Sequence, residues 1–151
     1  MKIFSHDVDG GFFPSKDETR SYNADDPDAN LYSILDQIEK FRKDGVFHVR
    51  MCYEEFVQFT FPCNEWTQSS NFAEERIVTD YKPIEITFTG PDSDPFLGLR
   101  LSDANHALIT GLGNWWFGIG GQFAYTWGLY CCWPVSAQAQ KVEVFLAIGR
   151  I

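Results

Sequence analysis

The chain has 151 residues and 17.3 kDa, the length of one domain, long enough to bury about 70% of its unfolded surface without metal or disulfide staples. Twelve Lys and Arg against 21 Asp and Glu leave a net charge of −9, which excludes the clustered cations of a nucleic-acid or anionic-membrane surface. Fourteen Phe and five Trp favour a β-rich core, and no apolar run approaches the roughly 18 residues of a membrane span.

Taken in chain order, Ile3 and Phe4 followed by Asp7, Asp9, Gly10 and Gly11 predict a short strand, a glycine turn and a second apolar anchor at Phe12 and Phe13. Residues 27–43 carry the pattern of an amphipathic helix. Asp26 would be its N-cap, Pro27 its first residue and Asp28 an anion in its first turn. Leu31, Ile34, Leu35, Ile38 and Phe41 would draw one apolar stripe, with Lys40, Arg42 and Lys43 in the last turn and Gly45 as the C-cap.

After Gly45 the period becomes two. Phe47, Val49, Met51 and Tyr53 share one face, while His48 and Arg50 turn to the other. Residues 55–61 are β-prone until Pro62. Strands are also predicted at 76–81, 83–88 and 96–101, a short apolar piece stands at 107–110, and a clean final strand lies at 142–148, where Val142, Val144, Leu146 and Ile148 alternate with Glu143, Phe145 and Ala147. Short strands at this spacing predict a single α+β domain over 1–151, mainly antiparallel, of β-sandwich or jelly-roll type with one helix near its start.

The N-terminal residues MKIFSHDVDGG contain no signal-peptide apolar stretch, so the sequence reads as cytosolic or as a mature or excised domain. Four cysteines suit two bridges of a secreted domain, with three possible pairings. Cys52 and Cys63 flank a short segment, as partners in a hairpin-like loop would. Cys131 and Cys132 are adjacent and would each need another partner or stay reduced. The spacing supports no zinc site.

Catalytic patterns are weak. His6, Asp7 and Asp9 lack the further ligands of an EF-hand and read more simply as an Asx turn. Asp25, Asp26 and Asp28 read as helix caps, and Asp92 and Asp94 as turn residues. His48 and His106 have no nucleophile elbow to serve. Glu54, Glu55 and Glu65 offer the carboxylate pair of a glycoside hydrolase only at the level any acidic chain does. The glycine clusters at 111–113 and 118–121 lack the lysine of a phosphate loop. The expectation is no enzyme, no cofactor and no metal.

The most unusual segment is 63–71, where Asn64, Glu65, Trp66, Gln68 and Asn71 bring planar amides and a carboxylate beside an indole. Such groups bind sugars, the ring stacking on a pyranose face while the amides take its hydroxyls. The alternative is that they tie down a long loop through backbone hydrogen bonds, with Trp66 as its buried anchor. Asn114 and Trp116, beside glycines, form a second candidate ligand surface. Phe123, Tyr125, Trp127, Tyr130 and Trp133 form a candidate interface.

The opening Ser5-His6-Asp7 with Gly10-Gly11-Phe12-Phe13, the run Asp26-Pro27-Asp28-Ala29 with residues 31–37, and residues 63–71 together carry a resemblance. So do Asn114-Trp115-Trp116 and the closing strand. Across nearly its whole length the chain resembles an uncharacterised β-rich domain family of extracellular proteins in marine invertebrates, cnidarians especially. The resemblance implies secretion and a Cys52–Cys63 bridge, and it brings no activity, cofactor or catalytic residue. Cys131-Cys132 and the aromatic stretch around them depart from the family pattern.

These readings converge on a secreted, non-catalytic recognition or assembly module that meets other extracellular modules or copies of itself, and neither nucleic acid nor membrane. A lectin-like domain using residues 64–71 is the alternative, and a small hydrolase with Glu65 as acid or base stands behind it.

Overall fold

The computed structural model describes residues 1–11, 13–54, 63–87, 96–102, 108–110 and 141–147. The candidate residues Asn114, Trp116, Phe123, Tyr125, Trp127, Tyr130 and Trp133, together with Cys131, Cys132, Asp92, Asp94 and His106, lie outside that set. Among the described residues there are eight strands: β1 (Lys2–Asp7), β2 (Leu31–Ser33), β3 (Phe47–Glu54), β4 (Cys63–Gln68), β5 (Lys82–Glu85), β6 (Leu99–Leu101), β7 (Leu108–Thr110) and β8 (Lys141–Leu146). Six of them form one antiparallel sheet in the order β2-β1-β8-β3-β4-β5, and β6 pairs with β7 in a second. The fold is thus mainly antiparallel β.

Strand alternation sorts the sheet into two faces. On the inner face Phe47, Val49, Met51 and Tyr53 of β3, Val142, Val144 and Leu146 of β8, and Trp66 of β4 are all buried. Register aligns Val49 with both Trp66 and Leu146, and Met51 with Val144. Phe4 and His6 continue this face into β1, where Phe13 stacks on Phe4 at 5.1 Å and meets His6 edge-on at 5.8 Å. The early anchor expected near the glycine turn is therefore real, and Phe13 provides it.

Leu99, Leu101 and Leu108 of the second sheet join the same core as Phe72 and Phe96. Two devices tie that sheet down. Leu101 N donates to Phe72 O at 2.7 Å, and Leu99 is held by the amide of Gln68.

The amphipathic helix expected over 27–43 does not form as one element. Residues 31–33 are strand β2, pairing Phe4 with Ser33 and His6 with Leu31, and a 3-10 helix follows at Leu35–Phe41. Asp26 starts a turn instead of a helix, accepting from Asp28 N on Oδ1 (3.2 Å) and from Ala29 N on its carbonyl (3.1 Å). All three side chains of β2 are buried, so cross-strand pairing with β1 outweighs the helical spacing of the apolar residues. Gly45 likewise closes a tight turn. Asp44 and Gly45 take φ of 54° and 81°, and Lys43 and Val46 exchange backbone hydrogen bonds around them, as an Asp-Gly type I′ turn requires. Among the described residues an α-helix forms at Lys16–Arg20, capped by Ser15, whose Oγ accepts from Glu18 N.

The strand expected at 76–81 is replaced by a turn, in which Ser69 N bonds Thr79 O at 3.0 Å and Asp80 takes a φ of 54°. The chain becomes extended only at Lys82, and all four residues of β5 are exposed at one side of the sheet.

Candidate recognition face

The polar-aromatic segment 63–71 is built as strand β4 and the turn after it, and it faces inward. Asn64, Trp66 and Gln68 are fully buried and Asn71 is 3% exposed. Asn64 Oδ1 accepts from Thr87 N at 2.8 Å. Trp66 Nε1 donates to Gln68 Oε1 at 2.8 Å, and the indole meets the ring of Phe96 edge-on at 4.8 Å. Gln68 Nε2 donates to Ser70 O and Leu99 O, both at 3.0 Å. Asn71 Nδ2 donates to Glu39 Oε2 at 2.8 Å, while its Oδ1 accepts from Ala73 N at 2.9 Å. These amides are occupied in holding β4, β6 and the following turn together, and no sugar ring has access to the buried indole. Of the two readings of this segment, the arrangement matches the one in which its side chains tie down the backbone with Trp66 as buried anchor. Because buried amides must find partners, their inward position also explains why polar residues are tolerated there.

Glu65 is the exception among the segment's candidates. Being one residue out of phase, it points from β4 to the opposite face. There the register sets Lys2, Phe145, Arg50 and Glu65 in a line across β1, β8, β3 and β4. Arg50 Nε lies 3.8 Å from Glu65 Oε1, and His48 Nε2 lies 4.0 Å from Glu65 Oε2. Both separations are within ion-pair range and too long for a hydrogen bond. The Arg50 side chain is 59% exposed and that of Glu65 34%. Together with Met1, Phe145 and Ala147 these groups line a cleft of about 350 Å³. The face is closed nearer β2, where Ser5 and Tyr32 are buried, so the cleft is confined to the β8-β3-β4 part.

The cleft is flanked by two fixed features. Cys52 and Cys63, directly opposed on β3 and β4, form a disulfide with their Cα atoms 4.1 Å apart. Lys2 is paired with Glu143 and also donates from Nζ to Pro27 O at 3.2 Å. Lys141 sits 3.9 Å from Glu143. Within the cleft the Met1 ammonium is bonded to Leu146 O at 2.9 Å, which leaves a guanidinium and a carboxylate side by side with an imidazole next to them, and exposed Glu85 follows Glu65 in register on β5.

Among the described residues, Glu65 is flanked by the Arg50 guanidinium and the His48 imidazole, and Glu85, exposed on β5, is its partner in register. No three His, Cys, Asp or Glu side chains among the described residues come within reach of one metal ion. His6 is buried, its Nε2 donating to Gly11 O at 2.6 Å, and burial lowers its pKa from 6.5 to about 4. Asp7 Oδ1 accepts from Asp9 N at 2.9 Å, the Asx turn anticipated from the sequence. Among the described residues no helix is long and apolar enough to cross a membrane.

The period-two pattern puts His48 and Arg50 together on the face of β3 opposite Phe47, Val49, Met51 and Tyr53, and by itself does not bring them to Glu65. The signal was present: if Cys52 faces Cys63 in an antiparallel pair, then Arg50 must face Glu65, since the two positions sum to the same number. Comparison of the chain with protein-family models, curated proteins and solved structures returns no match.

Proposed function

We propose that this chain is a non-catalytic recognition module of an extracellular protein, and that it presents the outer face of β3, β4 and β8 to its ligand or partner. One observation carries the reading. The amides and indole of 63–71 are spent on internal bonds, while Arg50, His48 and Glu65 lie open around a cleft on the other side of the same strands. A mainly apolar inner face and an open, charged outer one suit a scaffold that displays a binding surface. The Cys52–Cys63 bridge supports a secreted setting, and that setting agrees with the resemblance to extracellular domains. A two-layer, sandwich-like arrangement belongs to the same proposal. Its support is the shared core of Trp66, Leu99, Leu101 and Leu108.

The test is an array of glycans and peptides probed with disulfide-intact protein, run beside light scattering over a range of concentrations. Saturable binding, or a mass that rises with concentration, lost in an Arg50→Ala/Glu65→Ala variant, supports the module. Neither effect, or turnover of an array compound that disappears in Glu65→Gln, overturns it.

A further inference from the structure

Resting on that reading, we propose that the outer-face cleft binds the zwitterionic head of an α-amino acid that carries an apolar side chain. Arg50 would take the carboxylate, Glu65 the ammonium, and Phe145 would pack against the side chain.

Among the side chains that line the cleft, one guanidinium and one carboxylate lie 3.8 Å apart and directly opposed across β3 and β4, with Glu85 of β5 outside the lining as the next residue in register. A purely anionic ligand seated on Arg50 would also face Glu65, and a purely cationic one on Glu65 would face Arg50. A ligand with both charges on one tetrahedral carbon meets each with its opposite. The separation within the pair fits this use. At 3.8 Å neither member satisfies the other with a hydrogen bond, so both keep capacity that a ligand can take up. Guanidinium is also the group best shaped to hold a carboxylate with two parallel donors.

Size and polarity narrow the class. A volume of about 350 Å³ lies at the small end of ligand pockets and suits one amino acid better than an oligosaccharide. Phe145 precedes Leu146 on β8 and pairs with Arg50 in register, which brings an aromatic ring beside the charged pair. Met1 and Ala147 complete the wall, the Met1 ammonium being held by Leu146 O at 2.9 Å. Lys2 does not compete for the carboxylate, because Glu143 and Pro27 O already hold it. The cleft is open to water on one side, so affinity should be weak, with a Kd on the order of 1 mM.

The experiment is an amide-resolved NMR titration of the intact chain with three probes: L-phenylalanine, phenylalaninamide and N-acetylphenylalanine. Saturable shifts with phenylalanine at His48, Arg50, Glu65 and Phe145 are expected, and each singly charged analogue should bind roughly tenfold or more weakly. Arg50→Ala and Glu65→Gln should each bring a loss of the same size while the denaturation midpoint stays put. An analogue that binds as well as phenylalanine overturns the zwitterion inference and leaves the recognition reading standing. Absence of saturable shifts on this face also overturns the inference, and the array then decides the wider reading by itself.

Discussion

The side-chain amide of Gln68 bonds both backbone groups of Leu99. Its Oε1 accepts from Leu99 N, and its Nε2 donates to Leu99 O, each at 3.0 Å. One buried side chain thus replaces a strand partner and clamps β6 to the end of β4. The same Oε1 takes the indole N–H of Trp66, so indole, amide and second sheet form one polar network inside an apolar core.

Replacing Gln68 with Leu keeps its bulk and removes the network. Trp66 Nε1 and both backbone groups of Leu99 would lose their partner in a site without water access. We expect a loss of about 3 kcal/mol or more, read as a lower urea midpoint, with the two-stranded sheet the first region to lose protection from hydrogen exchange.

Gly98 precedes this clamp with a φ of +88°, and a Cβ there would lie 2.8 Å from Gln68 Oε1 and 2.9 Å from Val78 Cγ1. Gly98→Ala should therefore cost about 1–3 kcal/mol through strain and displacement of the amide. Gly45→Ala, whose φ is also positive but which has open space around it, should cost less. Denaturation of the two variants side by side checks the order.

His6 makes stability depend on pH in the acid range. Burial is the main cause of its pKa of about 4, and the Gly11 carbonyl and Asp7 charge offset only part of it. Above the ordinary value of 6.5 the imidazole is neutral in both states and its contribution is fully present. As pH falls from 6.5 towards 4, the unfolded chain takes up a proton that the native one refuses, so stability drops. Below about 4 this group adds no further loss. The total is about 3 kcal/mol, and His6→Gln should flatten the stability profile in that window.

The Cys52–Cys63 bridge lies on the outer face and closes a short stretch of chain, with a sequence separation of 11. Replacing both cysteines with Ser should cost about 3 kcal/mol through the freed unfolded state. The core does not depend on these side chains, so the variant should still unfold cooperatively.

Much of the frame is legible in the sequence because alternation reports burial directly. Phe47 to Tyr53 and Val142 to Leu146 bury alternate residues as their pattern predicts. Leu31 to Phe41 misled because the spacing of its apolar residues fits a helix, while the deciding term, pairing of Leu31 with His6 and Ser33 with Phe4, is long-range. The 63–71 segment carries conflicting signals, because its inward positions at 64 and 68 are amides: their polarity favours the ligand-facing reading, while period two counted from Trp66 favours the buried-anchor one. Arg50 and Glu65 were legible only as a consequence of register, which a bridge between Cys52 and Cys63 fixes.

Trp66 is buried in the scaffold, whereas Arg50 is proposed to belong to the surface that recognises, and measuring L-phenylalanine affinity and urea stability together in Trp66→Phe and Arg50→Ala tests this division of roles. Trp66→Phe should lower stability by about 1–3 kcal/mol and leave affinity nearly unchanged. Arg50→Ala should leave stability within about 1 kcal/mol and weaken binding roughly tenfold or more. Affinity lost in a stably folded Trp66→Phe protein, and kept in Arg50→Ala, would contradict it.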